Sequence, residues 1–316
     1  NFSTSDSFTG SGGGIWTSYS NPIITNTIIR NNTSGWGGGI LSSSSDVSIT
    51  GCEITDNRSS SKAGGIYIGG GEVIFSNVII NGNEGGDANS EGGGGLFSGG
   101  SYLTFNDVQI FDNTTTLHGG GVHLASPRSC KFNNVLVHHN EAGSEGGGIR
   151  LTGPGCDFTN VTIANNSAPQ YGGISAGSSS SFNNMIVRDN EGGSSFGGAD
   201  VSYSNIEDYS DSGDTTNIID FDPLFSNVLN YDYSLQGGSK SIDTGDPSAW
   251  LFDVDGTRSD QGATGGPFYT INFEEWNFVS IGDAGGDKIW ELYNFRTDLV
   301  TIDSINISGS NSSSFA

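Results

Sequence analysis

Positive charge is what this 316-residue chain has least of. Eleven Lys and Arg stand against 35 Asp and Glu, a net charge of −24. That excludes the Lys/Arg clusters needed to bind nucleic acid or an anionic membrane surface. Apolar residues are also few, 33% of the chain, and no run of them approaches the length of a membrane span. No stretch carries a helical period, so a helical architecture is excluded too. Glycine is plentiful, 51 residues, but lacks the every-third-residue spacing of collagen. Aromatics at 10% exclude a disordered composition. Sparse apolar residues with intact aromatics suit thin, regular β architecture. The length allows one large domain or two ordinary ones. The chain begins at Asn1 with neither Met nor a signal-like segment, and reads as a processed or excised piece of a longer precursor.

What is present is a repeat. Glycine runs flow into an apolar residue at Ile15, Ile40, Ile66, Leu96, Val122, Ile149, Ile174 and Ala199, at spacings of 25, 26, 30, 26, 27, 25 and 25. A second landmark keeps the same period, an alternating apolar run that closes on Asn32, Asn57, Asn83, Asn113, Asn140, Asn166 and Asn190. Units of this size with only short strands cannot bury an apolar face alone; stacked as coils of a solenoid, each covers the next. Equivalent residues then lie about 4.8 Å apart. Three interior columns follow. Ile24, Ile49, Phe75, Phe105, Phe132, Phe158 and Phe182 form one, and Thr27, Cys52, Val78, Val108, Val135, Val161 and Met185 a second. The third runs from Ile29 through Ile54, Ile80, Ile110, Val137 and Ile163 to Val187. The Asn column is expected at a corner, because Asn tolerates bent backbone and its amide can bond the amide one coil away.

The couplet of GG-x-[ILV] and a downstream x-x-N resembles the right-handed parallel β-helix repeats of bacterial surface proteins, in particular the polymorphic-outer-membrane-protein type. It departs from that type in carrying Ile or Val where the motif has Phe, as in "INGN" and "VHHN". The resemblance implies an all-β fold, a right-handed parallel β-helix of about eight coils over residues 1–205, in a secreted or cell-surface protein. Residues 206–266, with DPLF, YSLQ and SIDTGDP, are similar to the closing segment of secreted β-helices of the choice-of-anchor type. Residues 267–316, after a GGP linker, resemble the first half of an Ig-like sandwich. Such a half sandwich is either cut short or completed by strand addition from another chain.

Function is then sought on the outside. On the strand after the glycines one residue per coil points outward: Trp16, Leu41, Tyr67, Phe97, His123, Arg150, Ser175 and Asp200. Its aromatic part is either a binding or assembly strip, for a sugar ring or another protein, or a face covered by the chain itself. His123 and Arg150 are the catalytic candidates, as base and charge stabiliser, but no carboxylate pair accompanies them as glycoside hydrolysis requires. None of the four lysines sits beside carboxylates on an outward column, as a lyase base would. The expected role is therefore structural or adhesive, with carbohydrate binding or cleavage as the alternative. Expected partners are copies of the chain, other surface proteins or a polysaccharide.

No cofactor is expected. Adjacent His138 and His139 should point to opposite faces of a strand, which disfavours a metal there. Asp253 and Asp255 in "DVDG" faintly resemble a calcium loop without its twelfth-position Glu. Cys130 and Cys156 each lie two residues before the column Phe and stack on successive coils, near 5 Å apart, as a bridge or as two packed thiols.

Overall fold

The computed structural model describes residues 12–86, 92–153, 155–177, 179–197, 199–209, 217–253 and 255–266, with the backbone of two further strands. The chain divides into two units, Asn1–Tyr269 and Thr270–Ala316. In the second, strands Asn277–Ser280 and Trp290–Tyr293 pair antiparallel; the rest of the expected Ig-like half sandwich lies outside the described residues.

The first unit is an all-β parallel solenoid. Its first sheet has seven strands, each opening on a landmark residue, from Ile15–Ser18 to Ile174–Ser175. Ile15, Ile40, Ile66, Leu96, Val122, Ile149 and Ile174 are in direct register. Six turns of the solenoid therefore separate the first strand of that sheet from the last. The second sheet holds the alternating runs, its longest strands being Glu72–Asn81, Tyr102–Phe111 and Ser129–His138. A third sheet of short strands runs from Thr33–Trp36 to Glu141–Ala142. Inside, Phe75, Phe105, Phe132, Phe158 and Phe182 stack with ring centroids 4.4–4.8 Å apart. Strand spacing sets that distance, and each such contact is worth about 0.5–1.5 kcal/mol beyond the area it buries. Thr27 is the exception in its column: on the first coil it is exposed, and its hydroxyl donates to the carbonyl of Thr25.

The asparagine column lies beside the bend and not at it. The left-handed residue is the one before each Asn: Asn31, Asp56, Gly82, Asp112, His139, Asn165 and Asp189, all with φ between 52° and 62°. These are mostly types that tolerate that region. The bend turns each following Asn inward. The Nδ2 of Asn32, Asn57, Asn83, Asn113, Asn140 and Asn166 donates to Oδ1 of the next Asn at 2.9–3.0 Å. From Asn57 onward the same amide also donates to an interior carbonyl, as Asn113 does to Ile80 at 2.9 Å. Each buried amide thus has its partners supplied by the repeat itself.

The eighth landmark does not continue the first sheet. Asp200–Ser202 pairs with Ser181–Asn183 in the second sheet, so Asp200 leaves the outward column in which it was expected. The first sheet is continued only by a single bridge, Ser195 beside Ser175, and Phe196 has turned in against Phe182. Beyond it the chain does two things. Ile219 bridges Asn205 at the end of the stack. The chain then returns along the flank, where the side-chain amides of Asn134 and Asn160 both donate to the carbonyl of Gly265, at 2.7 and 2.9 Å. The first glycines of the expected linker are thus docked on the solenoid.

Candidate functional site

The outer face of the first sheet follows from register. Trp16, Leu41, Tyr67, Phe97, His123, Arg150 and Ser175 are direct neighbours from strand to strand. The expectation that this column faces solvent holds at Trp16, 60% exposed, and fails at Leu41, Phe97 and His123, which are 5, 3 and 2% exposed. The glycines explain the covering. Gly119 is left-handed, and a Cβ there would lie 2.6 Å from the Cβ of His123; at Gly146 it would lie 2.8 Å from that of Arg150. The chain leaving the third sheet can fold flat over the column because those positions have no side chain.

What covers the column is a second column, five residues earlier in each coil, that the sequence reading passed over. Trp36 precedes Leu41 by five, Lys62 precedes Tyr67, His118 precedes His123, and Glu145 precedes Arg150. Trp36 pairs with Lys62, and His118, Glu145 and Gln170 bridge in sequence. The Trp36 ring lies against Tyr67 at 5.2 Å, and Tyr67 stacks on Phe97 at 5.5 Å. Phe97 meets His123 edge-on at 5.2 Å. The Lys62 ammonium sits 5.3 Å from the centroids of both Trp36 and Phe97, a cation–π geometry. The constant offset of five was the available signal.

At the far end the strip becomes charged. Arg150 pairs with Glu145 at 3.1 Å, and Glu145 also accepts the hydroxyl of Ser175. Burial, then the Arg150 charge, pushes the His123 imidazole down to about 3. Burial and Arg150 lower His118 against the opposing pull of Glu145. The Nδ1 of His123 accepts the backbone N–H of Gly92 at 3.3 Å. His123 is thus a neutral side chain whose Nδ1 lone pair is engaged, and the Glu145 carboxylate is bound to Arg150. Both side chains are packed into the strip, His123 against Phe97 and Arg150 against Glu145.

Cys130 and Cys156 form a disulfide with Cα atoms 4.7 Å apart. They continue the interior column of Val47, Val73 and Leu103. Asp253 lies with Asp243 and Asp260, their carboxylates converging within 4.8 Å, and these three could hold a cation. Asp255 is not among them; it bonds Thr257. Asp253 already accepts the N–H groups of Asp260 and Gly266, and Asp260 that of Asp243. Burial raises Asp260 to about 7, and the nearby Asp253 and Asp243 carboxylates push it the same way.

His138 and His139 do not face opposite sides. His139 takes the left-handed conformation, φ 52°, which breaks the strand alternation and brings the two Nδ1 atoms to 2.9 Å.

The family model for the right-handed beta helix region matches residues 2–116 and 41–192. No curated protein and no solved structure matches the chain.

Proposed function

Because the chain belongs to the family of right-handed β-helices, we propose that it is an extracellular structural or adhesive protein of the bacterial surface type. The observation that supports this reading is the closure of the strip. From Tyr67 to Arg150 its rings and charges are engaged by the chain's own second column, so that part of the face works as a seam that stiffens the stack. The docking of residues 217–266 along the flank is in keeping with a closing segment of the secreted type, which protects the open strand edges of a solenoid end. In the assembly form of this proposal, the tail 268–316 of one subunit completes or caps another. Deleting residues 268–316 is expected to leave a folded, monomeric solenoid by light scattering; assembly that survives the deletion contradicts this form.

Carbohydrate binding is the second reading. It is favoured by the exposed Trp16 ring and by Trp36, Tyr67 and Lys62 together, since ring faces beside a cation suit an acidic sugar. Trp16→Ala or Tyr67→Ala is then expected to abolish retention on acidic polysaccharide. An ultraviolet assay for unsaturated sugar products separates a lyase from a binder.

A further inference from the structure

We propose that the hairpin Phe225–Leu235 is an acid-released clasp on the solenoid flank, locked by the facing Nδ1 atoms of His138 and His139. Phe225–Asn227 and Asp232–Leu235 pair antiparallel and carry Tyr231 and Tyr233 onto the corner of the coils. The Tyr231 hydroxyl donates to Asp112, its oxygens lying 3.0 and 3.1 Å away. The Tyr233 hydroxyl donates to Oδ1 of Asn165 at 2.8 Å, and its oxygen lies 3.4 Å from Nδ1 of His139. Their rings lie 4.8 and 4.9 Å from His138, which is itself stacked on Phe111 at 4.9 Å. Tyr231 also lies 4.8 Å from His139.

The lock follows from counting hydrogens. His138 is fully buried and its Nε2 has no partner. The neutral pair has one arrangement that leaves no N–H stranded: His138 carries its proton on Nδ1 and donates to Nδ1 of His139. Protonating His139 either turns its Nδ1–H toward the Tyr233 hydroxyl oxygen, 3.4 Å away, and leaves the Nδ1–H of His138 facing it without an acceptor at 2.9 Å, or moves the His138 proton to Nε2, where nothing accepts it. Protonating His138 strands the same Nε2–H. Every charged form of the pair therefore costs a buried donor its partner.

The surrounding charges do not supply a remedy. Asp112, the carboxylate that favours a charged His139, is engaged by the Tyr231 hydroxyl. Burial raises both tyrosines, so they stay neutral. Asp189, at the same corner three coils on from Asp112, is raised by burial and by Glu207 against the pull of Arg188; its own proton uptake opposes release. Burial lowers His139 and takes His138 down to about 3. A base depressed in the folded state favours that state above its free value of 6.5, and the advantage drains away as the pH falls below it. No other corner carries His in place of Asn, Asp or Gly at the left-handed position among the described residues, so the coils outside the clasp lack this lock.

Amide hydrogen exchange, corrected for intrinsic rate, tests this on the whole chain between pH 7 and pH 4. Protection of Tyr231–Leu235 is expected to fall by about tenfold per pH unit for one linked proton, while Tyr102–Phe111 keeps its protection. In His139→Asn, the residue type found at other corners, and in His138→Phe, which extends the Phe111 stack, the hairpin is expected to stay protected at pH 4. Protection of Tyr102–Phe111 at pH 7 reports whether each variant folds. Hairpin protection independent of pH in the parent chain overturns the proposal. So does simultaneous loss in hairpin and strand, or a pH dependence that persists in either folded variant.

Discussion

At the scale of single residues, the stack depends on side chains that each serve two coils at once. Asn113 accepts from the backbone and side chain of Asn83 and donates to Asn140 and to Ile80. Replacing it by Ala leaves several buried groups without partners at about 1–3 kcal/mol each. Asn113→Ala is expected to lower stability by on the order of 3 kcal/mol or more in urea titration; a cost below about 1 kcal/mol would mean that water replaces the ladder. Asp107 makes the opposite case. It occupies a left-handed corner between Asn77 and Asn134, φ 52–53° at all three, and burial raises its carboxyl to about 7. An acid raised in the folded state favours folding below its free value of 3.8 and loses that advantage as the pH rises through about 7. Asp107→Asn is thus expected to stabilise the protein at pH 8, by on the order of 3 kcal/mol, and to be neutral at pH 4. Equal effects at both values would rule out the buried charge as the cause.

At the scale of elements, the disulfide ties Cys130 in the strand Ser129–His138 to Cys156, the residue just before the strand Asp157–Ala164 already paired with it. Closing a loop with 26 residues of separation stabilises by about 3.5 kcal/mol if chain entropy is the whole effect. Reduction is expected to lower the melting temperature by on the order of 10 °C, with the strongest local loosening in coils five and six by hydrogen exchange. An unchanged melt would show that strand pairing alone holds these coils. The stacking of Cys130 and Cys156 was legible because the period places equivalent residues one strand spacing apart. The facing of His138 and His139 was not, because strand alternation fails at a left-handed residue and nothing marks His139 as one. The covering column was legible only in part: its offset of five is constant, but Trp36, Lys62, His118 and Glu145 share no chemistry.

At the scale of the whole molecule, the acidic excess of 24 charges is spread over coils that repeat at strand spacing, so like charges recur within a Debye length. Raising the salt from about 20 mM to about 500 mM shortens that length several-fold and is expected to raise the melting temperature at pH 7. A melt insensitive to salt would mean that the carboxylates are already offset locally, as Glu145 is by Arg150 and Asp220 by Arg188.

Sequence alone determined the solenoid: the period, the apolar columns and the asparagine ladder, because each is a local pattern repeated until chance is excluded. It determined the shared register from Trp16 to Ser175 too, since register carries one strand's alternation into the next, but not the place of Asp200. Only the tertiary structure decided what lies on that column, because left-handed glycines fold the preceding chain over Phe97 and His123 without any apolar signal. Likewise, only the structure decided that the eighth coil meets the first sheet by the single bridge at Ser195, and that the later chain returns along the flank to Asn134, His138 and His139. Those contacts join residues about one hundred positions apart, and no period links them.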